Sequence, residues 1–273
     1  MKMKFRWFGA AGLEFQFNSS TILIDPYLSR HSPFNIIFAK LIPNIQTIKR
    51  YVSIADQIFV SHSHFDHISD IPEIYRITNA DIYSTKYGKD ILIDKMVPEN
   101  KIFVLVDKAK IDKPDYSLSP IYGDHMPIIG KKQYLKQNNK IPEKIERSFH
   151  YCMDDLYNFF IEYNDIKILI WNSHFKNDLI NADVLIIKPQ DNIVLEIVKQ
   201  IRPKLLVPVH WDKLWKKEIR NTDTIPICFD KNYSKVRAFS WNKFISTINK
   251  ITPETKILIP EHNQIYNIQD YLQ

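Results

Sequence analysis

Apolar and polar residues alternate at the start of the chain, where Leu13, Phe15 and Phe17 are interleaved with Glu14, Gln16 and Asn18. A period of two predicts half-buried strands over 4–8 and 13–18, with Gly9 and Gly12 marking the turn between them. Residues 21–24 read as a third strand ended by Asp25-Pro26, and Ile58-Phe59-Val60 as a buried strand. Asp25 reads from its own position as a turn-initiating residue before proline. Asp70-Ile71-Pro72-Glu73 carries helix-start signals: an Asx cap, proline in the first turn and glutamate at the third helical position. Short strands around 81–84 and 102–105 flank a helix over 86–95, so helices are expected to cover a sheet.

The second half repeats this rhythm. Residues 157–162 and 167–171 form a hairpin about Asn164-Asp165, and 182–187 a buried strand. An amphipathic helix follows over 191–201, then a strand over 204–212 that ends in histidine. A terminal helix over 236–250 lines up Ala238, Trp241, Phe244, Ile245 and Ile248 on one core-facing stripe. Two stretches break the pattern. Residues 28–51 hold an apolar run between Pro33 and Pro43, too short to cross a bilayer, for which packing onto the core is the first expectation and a lid, partner surface or lipid contact the alternatives. Residues 131–147 form a polar, basic connection and the seam between two halves.

The 273 residues are 45% hydrophobic and 25% charged, enough for a packed core and unlike a disordered chain. A net charge of +6 is spread along the sequence without a basic arm, so it favours anionic small molecules and gives no support to nucleic-acid binding. Cys152 and Cys228 lie outside any C-x-x-C pattern, which points to a reducing compartment. Arg6 and Glu14 interrupt any signal-like apolar run, and no stretch reads as a transmembrane segment, so a cytoplasmic location is expected.

The densest chemistry is Ser61-His62-Ser63-His64-Phe65-Asp66-His67, directly after the buried strand. Histidines two apart at a stiff strand end can converge on one divalent cation at about 2.0–2.1 Å, zinc first, with manganese or iron as alternatives. The competing reading is a polar loop whose imidazoles cap backbone groups. His125 ends a strand 58 residues beyond His67, and His210 ends another; the need for further protein donors makes both candidate ligands. Asp124 reads as a turn residue, Asp70 as a cap, His31 as a surface residue, His150 as core or rim, and His262 as lying near a surface turn.

Written as H-x-H-x-D-H, residues 62–67 resemble the metal loop of the metallo-β-lactamase-fold hydrolases, and Pro208-Val209-His210-Trp211 resembles the final ligand motif of their lactonase-like branch. The resemblance spans 5–212 and, since the family's members carry the Ile24-Asp25-Pro26 pattern, it gives Asp25 a second reading, as a group near the metal loop that orients it. It implies an α+β fold, a four-layer αβ/βα sandwich of two β-sheets flanked by helices, in a single domain of residues 1–273 with halves of roughly 1–147 and 148–273. It also implies that His62, His64 and His125 serve one metal and that Asp66, His67 and His210 serve a second. One departure stands out. The family's bridging aspartate has no counterpart after the strand 167–171, where Asn172-Ser173-His174 occurs; Ser173 takes its register, and Ser173 and His174 are candidate donors only. An atypical two-metal site, a one-metal site and an inactive descendant all remain compatible with this.

A bound divalent ion lowers the pKa of water from 15.7 to about 7, so the expected chemistry is hydroxide attack on an ester, lactone or phosphoester. Asp66 is the catalytic residue expected to orient the nucleophile and carry a proton. The expected partner is a small molecule, anionic or acyl-containing, with peripheral lipid contact through 34–42 as a further expectation. The rivals are a nuclease or phosphodiesterase of the same fold and a non-catalytic binding protein.

Overall fold

The computed structural model describes residues 3–125, 144–172, 180–189, 191–212, 225–226 and 238–273. Strands β1 (Lys4–Gly9), β2 (Gly12–Gln16), β3 (Thr21–Ile24), β4 (Gln57–Phe59), β5 (Asp81–Ser84) and β6 (Ile102–Val104) follow one another across the first sheet. Strands β7 (Ile111–Asp112), β8 (Ser117–Gly123), β9 (Leu156–Tyr163), β10 (Ile166–Trp171), β11 (Val184–Ile187) and β12 (Leu205–Pro208) do the same in the second. A two-stranded ribbon joins β13 (Ile225–Pro226) and β14 (Ala238–Phe239). Strand β15 (Lys256–Ile257) completes the second sheet beside β12, and β16 (Ile265–Asn267) crosses back to pair with β1.

Helices α1 (Pro33–Phe38), α2 (Ile45–Tyr51), α3 (Phe65–Ile68), α4 (Ile71–Thr78) and α5 (Lys86–Asp94) belong to the first half. Helices α6 (Asp191–Ile201), α7 (Trp241–Ile251) and α8 (Gln269–Leu272) belong to the second. Strands β3 to β6 run parallel, as do β10, β11, β12 and β15, so their crossovers place helices on the sheet faces. The period of two sorts the side chains. Ile22, Ile24 and Phe59 join the core shared with Phe159, Ile161, Ile168 and Leu185 of the second sheet. Leu23, Ile58 and Val60 point the other way, into the cluster under α2, α4 and α5. Two sheets flanked by helices are therefore the architecture, the layering expected from the sequence.

Parallel pairing has a consequence for function. Ile24 lies opposite Phe59, and Trp171, Ile187 and Pro208 are in register, so the carboxyl ends of these strands open on one rim. Antiparallel β9 brings the end of β8 to the same rim through Gly123 opposite Leu156. The backbone N–H of Tyr157 donates to the Ser61 carbonyl at 2.9 Å, tying the two sheets together there.

Several sequence expectations change. Glu14 is buried rather than solvent-facing, because it pairs with Arg6, which also donates to the Tyr51 carbonyl at the end of α2. Strand β12 stops at Pro208, short of the expected 212; His210 beyond it takes a left-handed backbone (φ 56°). Asp70 precedes α4 but makes no side-chain cap: its carboxylate accepts from the backbone N–H groups of Leu28 and Ser29, both at 2.7 Å, and from the Ser29 hydroxyl. The terminal helix starts at Trp241, capped by Ser240, with Phe244 and Ile248 buried as the stripe requires. Helix α1 buries none of its residues, against the expectation of core packing. Most of the basic seam, 126–143, lies outside the described residues.

Replacing fully buried Ile186 of β11 by alanine should cost about 2–5 kcal/mol in urea unfolding. Ile42→Ala, at a position 74% exposed, should stay within about 0.5 kcal/mol of the parent.

Candidate metal centre

Strand β4 delivers the chain into 61–67, where His64 adopts an extended backbone and α3 starts at Phe65. That one helical turn sends Asp66 and His67 in a different direction from His62 and His64. Two groups of side chains result. One donor atom from each of His62, His64 and His125 lies within 4.8 Å of the others, and the same holds for Asp66, His67 and His210. That span is close to what donors about 2.0–2.2 Å from a shared ion would cover. Ring centroids separate His62 from His125 by 5.1 Å, His64 from His125 by 4.8 Å, and His62 from His67 by 3.9 Å, so the groups are adjacent.

Hydrogen bonding assigns the free lone pairs. Asp25 follows β3 with φ 45°, and its own N–H donates to the Phe59 carbonyl at 3.0 Å. Its buried carboxylate accepts from the Ser61 N–H at 2.7 Å and from the Ser61 hydroxyl. With its proton committed to Asp25, the Ser61 oxygen accepts from His62 Nδ1 at 3.0 Å. His67 Nδ1 lies 2.9 Å from the same Asp25 carboxylate and donates to it. Both imidazoles therefore turn Nε2 away from Asp25. His62 Nε2 faces His64 Nδ1 at 3.0 Å, and His67 Nε2 faces Asp66 Oδ2 at 3.6 Å, with His210 Nε2 3.5 Å from that oxygen. A second carboxylate behind a ligating histidine is the arrangement that fixes ring orientation in metal sites. Asp25 is thus the orienting group, the second of its two sequence readings.

The electrostatics agree with this donor set. Burial pulls His62 well below its ordinary value, and the charges of His67, His64, His125 and His210 add to the effect. Burial also lowers His210, reinforced by Lys188 and opposed by Asp66. Burial works against charge on Asp66 and on His67, but their mutual attraction overrides it: Asp66 is lowered by His67 and His210, and His67 is raised by Asp25 and Asp66. Neutral His62 and His210 beside an ionised Asp66 are in the protonation states that bind a divalent ion, whereas His67 favours its charged form and would release that proton on binding.

No protein-family model matches the sequence. A Pyrobaculum islandicum protein described as a UPF0173 metal-dependent hydrolase is 32% identical over 97 residues, 36% of this chain and 39% of that protein. The match therefore spans about two fifths of that relative's length. A Staphylococcus aureus protein with the same description is 24% identical over 225 residues, covering 77% of this chain and 86% of that protein. The metallo-β-lactamase fold protein YhfI of Bacillus subtilis superposes with a TM-score of 0.56 at 13% identity, over 97% of this chain and 98% of that one. The chain has the metallo-β-lactamase fold.

Within this metallo-β-lactamase fold, three groups that the sequence did not single out brace the rim. Asp212, two residues past His210, pairs with Arg30 from the loop after β3, accepts from the Ala10 N–H at 2.9 Å, and lies 3.0 Å from His262 Nε2. The Arg30 guanidinium fills the space over Gly9 (φ 98°), where an added Cβ would come within 1.5 Å of it. His262 lies in the turn closed by the Gln264 N–H to the Glu261 carbonyl, as expected, but it also packs on Trp7 at 4.5 Å between ring centroids and stacks with Trp211, which makes it part of this brace. Lys188, directly after β11, is the other group missed, and its charge acts on both His67 and His210. His31 is buried, not exposed, and burial lowers its pKa. His150 is partly buried, accepting from the N–H groups of Glu146 and Arg147. Ser173 and His174 lie outside the described residues. At the end of β10, Asn172 donates its N–H to Asn158 Oδ1 at 2.7 Å.

Burial raises Asp212, but His262 and Arg30 outweigh it and hold the carboxyl below its ordinary range. Such a group adds stability above its unfolded value, about pH 4, and that contribution is lost as the pH falls toward the folded value. Asp212→Ala should cost about 3–5 kcal/mol in urea unfolding at pH 7, because it leaves Arg30 buried without its counter-charge. The gap between parent and Asp212→Asn should narrow as the pH is lowered below about 4. Asp25→Asn should leave the fold intact and weaken binding of added Zn²⁺ by about 10–100-fold in a chelator competition.

Proposed function

We propose that this chain is a metal-dependent hydrolase that uses one or two divalent ions, zinc first, held by His62, His64 and His125 and by Asp66, His67 and His210. The observation that carries the reading is the convergence of the two donor groups, side by side at one rim, from strand ends remote in sequence. The descriptions of the Pyrobaculum and Staphylococcus relatives as metal-dependent hydrolases support it. We take residues 1–273 as a single catalytic unit.

The donor set fits a divalent ion on chemical grounds: converging imidazole nitrogens, one ionised carboxylate, and Asp25 fixing two of the rings. When bound, the ion would supply Lewis acidity toward a carbonyl or phosphoryl oxygen and a nucleophile at neutral pH. The chain's own groups do the rest. Asp66 stays ionised, with Oδ2 turned to the Nε2 atoms of His67 and His210, and its other oxygen is left to orient an attacking water and relay its proton to the leaving group. Asp25 keeps the His67 ring from rotating as charge shifts at Asp66. Lys188 adds a cation that suits an anionic group on the substrate. Pro208-Val209-His210-Trp211 favours the lactonase-like branch, with ester, lactone and phosphoester as the substrate classes.

The test combines elemental analysis of protein from metal-replete culture with assays on lactones, phosphodiesters and acyl esters. The expected result is at least one equivalent of bound transition metal and turnover of one class that a chelator removes and added metal restores. Asp66→Asn, compared at matched metal content, should lower kcat/KM by about 10²–10⁴-fold. Full activity in that variant would exclude Asp66 from the chemistry. Less than about half an equivalent of metal, with no turnover, would favour a non-catalytic binding protein of the same fold.

A further inference from the structure

From Pro26 to Ala55 the chain contains no aspartate or glutamate, while it carries Arg30, Lys40, Lys49 and Arg50. Arg30 is consumed by Asp212 in the buried brace, but the other three face outward from the same stretch. Helix α1 opens this stretch, capped by the Ser32 hydroxyl and started by Pro33. Its apolar residues are turned to solvent: Phe34 is 66% exposed, Ile37 59% and Phe38 62%, and Ile42 just beyond is 74% exposed. The two phenyl rings contact each other at 5.4 Å. A lone exposed phenylalanine needs no explanation, but four large apolar side chains within nine residues form a patch that does.

A second segment fixes what surrounds the patch. The Leu41 N–H donates to the Glu146 carbonyl at 2.7 Å, and the Ser148 hydroxyl donates to the Ile36 carbonyl. Residues 144–149 therefore lie alongside α1 and bring exposed Lys144 and Arg147 to its flank. Glu146 is the one acid described in either segment, and Lys40 neutralises it at 2.8 Å. An apolar tip rimmed by unbalanced cations matches the interfacial zone of a membrane, where aromatic and aliphatic groups enter the acyl boundary and basic groups meet headgroup phosphates. Protein interfaces are depleted of lysine, whereas the segments around this patch carry Lys40, Lys49, Arg50, Lys144 and Arg147 against the single acid Glu146, a balance that suits a uniformly anionic surface.

We propose that α1 and the turn through Ile42 dock this protein on an anionic lipid surface, with Lys49, Arg50, Lys144 and Arg147 at headgroup level. This goes beyond the hydrolase reading and stands without it. Flotation of the full chain with vesicles of phosphatidylcholine alone, or with about 30 mol% phosphatidylserine, reads the interaction directly. The expected result is binding to the anionic vesicles that weakens as salt is raised. Ile37→Asp, and separately Phe34→Ser with Phe38→Ser, should reduce partitioning by about tenfold or more. Lys49→Glu with Arg50→Glu should cost about fivefold or more per charge on anionic vesicles. None of these changes should alter metal content or thermal unfolding, since the positions are exposed and outside the metal centre. The proposal is overturned by absence of vesicle binding at low salt, or by binding that these substitutions leave unchanged. It is also overturned by light scattering that shows the patch closing a dimer which Ile37→Asp dissociates.

Discussion

A buried carboxylate sets the geometry of the candidate metal centre. Asp25 sits at the end of one central strand and binds the N–H and hydroxyl of Ser61 at the end of its neighbour, and also His67 Nδ1. Through the Ser61 oxygen it governs His62 as well. Each of these bonds holds Nδ1 outside the centre and points the opposite nitrogen, Nε2, inward. Without that restraint, imidazoles crowded as closely as His62 and His67 would have several tautomers and ring orientations of similar energy. Placing a carboxylate in a left-handed turn has a conformational cost, which the adjoining parallel strands absorb through the Asp25 N–H bond to Phe59.

The second half of the rim is held by a different device. His210 also occupies a left-handed position, and Asp212 just after it is gripped by Arg30, His262 and the Ala10 N–H. Those partners come from the first sheet's loops and from the carboxyl-terminal stretch, so the ligand-bearing turn of the second sheet is located by contacts to the first. Trp7, Trp211 and His262 pack against one another around this ion pair and keep water from weakening it. The two candidate donor groups thus share one rim because the backbone pairing aims the strands there and buried charges stop the connecting turns from moving.

Much of this was legible in the sequence, for local reasons. H-x-H-x-D-H crowds four donors into six residues, and the alternation of apolar positions marked most of the strands around it. His125 and His210 could be picked out because each follows an apolar run. What could not be read were groups whose importance comes from a distant partner. Arg30 and Asp212 are 182 positions apart, and neither stands in a motif. His262 looked like a turn residue because no sequence pattern shows that Trp7 and Trp211 will stack around it. Asp70 carried every signal of a helix cap, yet the Leu28–Ser29 backbone offered its carboxylate two N–H donors and a hydroxyl. The apolar segment 28–51 split: Leu28, Leu41 and Ile48 pack into the core as apolar composition predicts on average, whereas α1 between them buries none of its residues.

The departure at the end of β10, where Asn172 stands in place of a run toward a bridging carboxylate, makes the balance between the two donor groups the central question. The His62, His64 and His125 group needs no bridge, because it supplies three neutral imidazoles by itself. The most direct measurement is anomalous X-ray diffraction at the zinc edge from crystals of the protein grown with Zn²⁺. The account predicts an ion about 2.0–2.1 Å from a ring nitrogen of each of His62, His64 and His125. Zinc found only elsewhere on the surface, or those three rings bound to no ion, would contradict it.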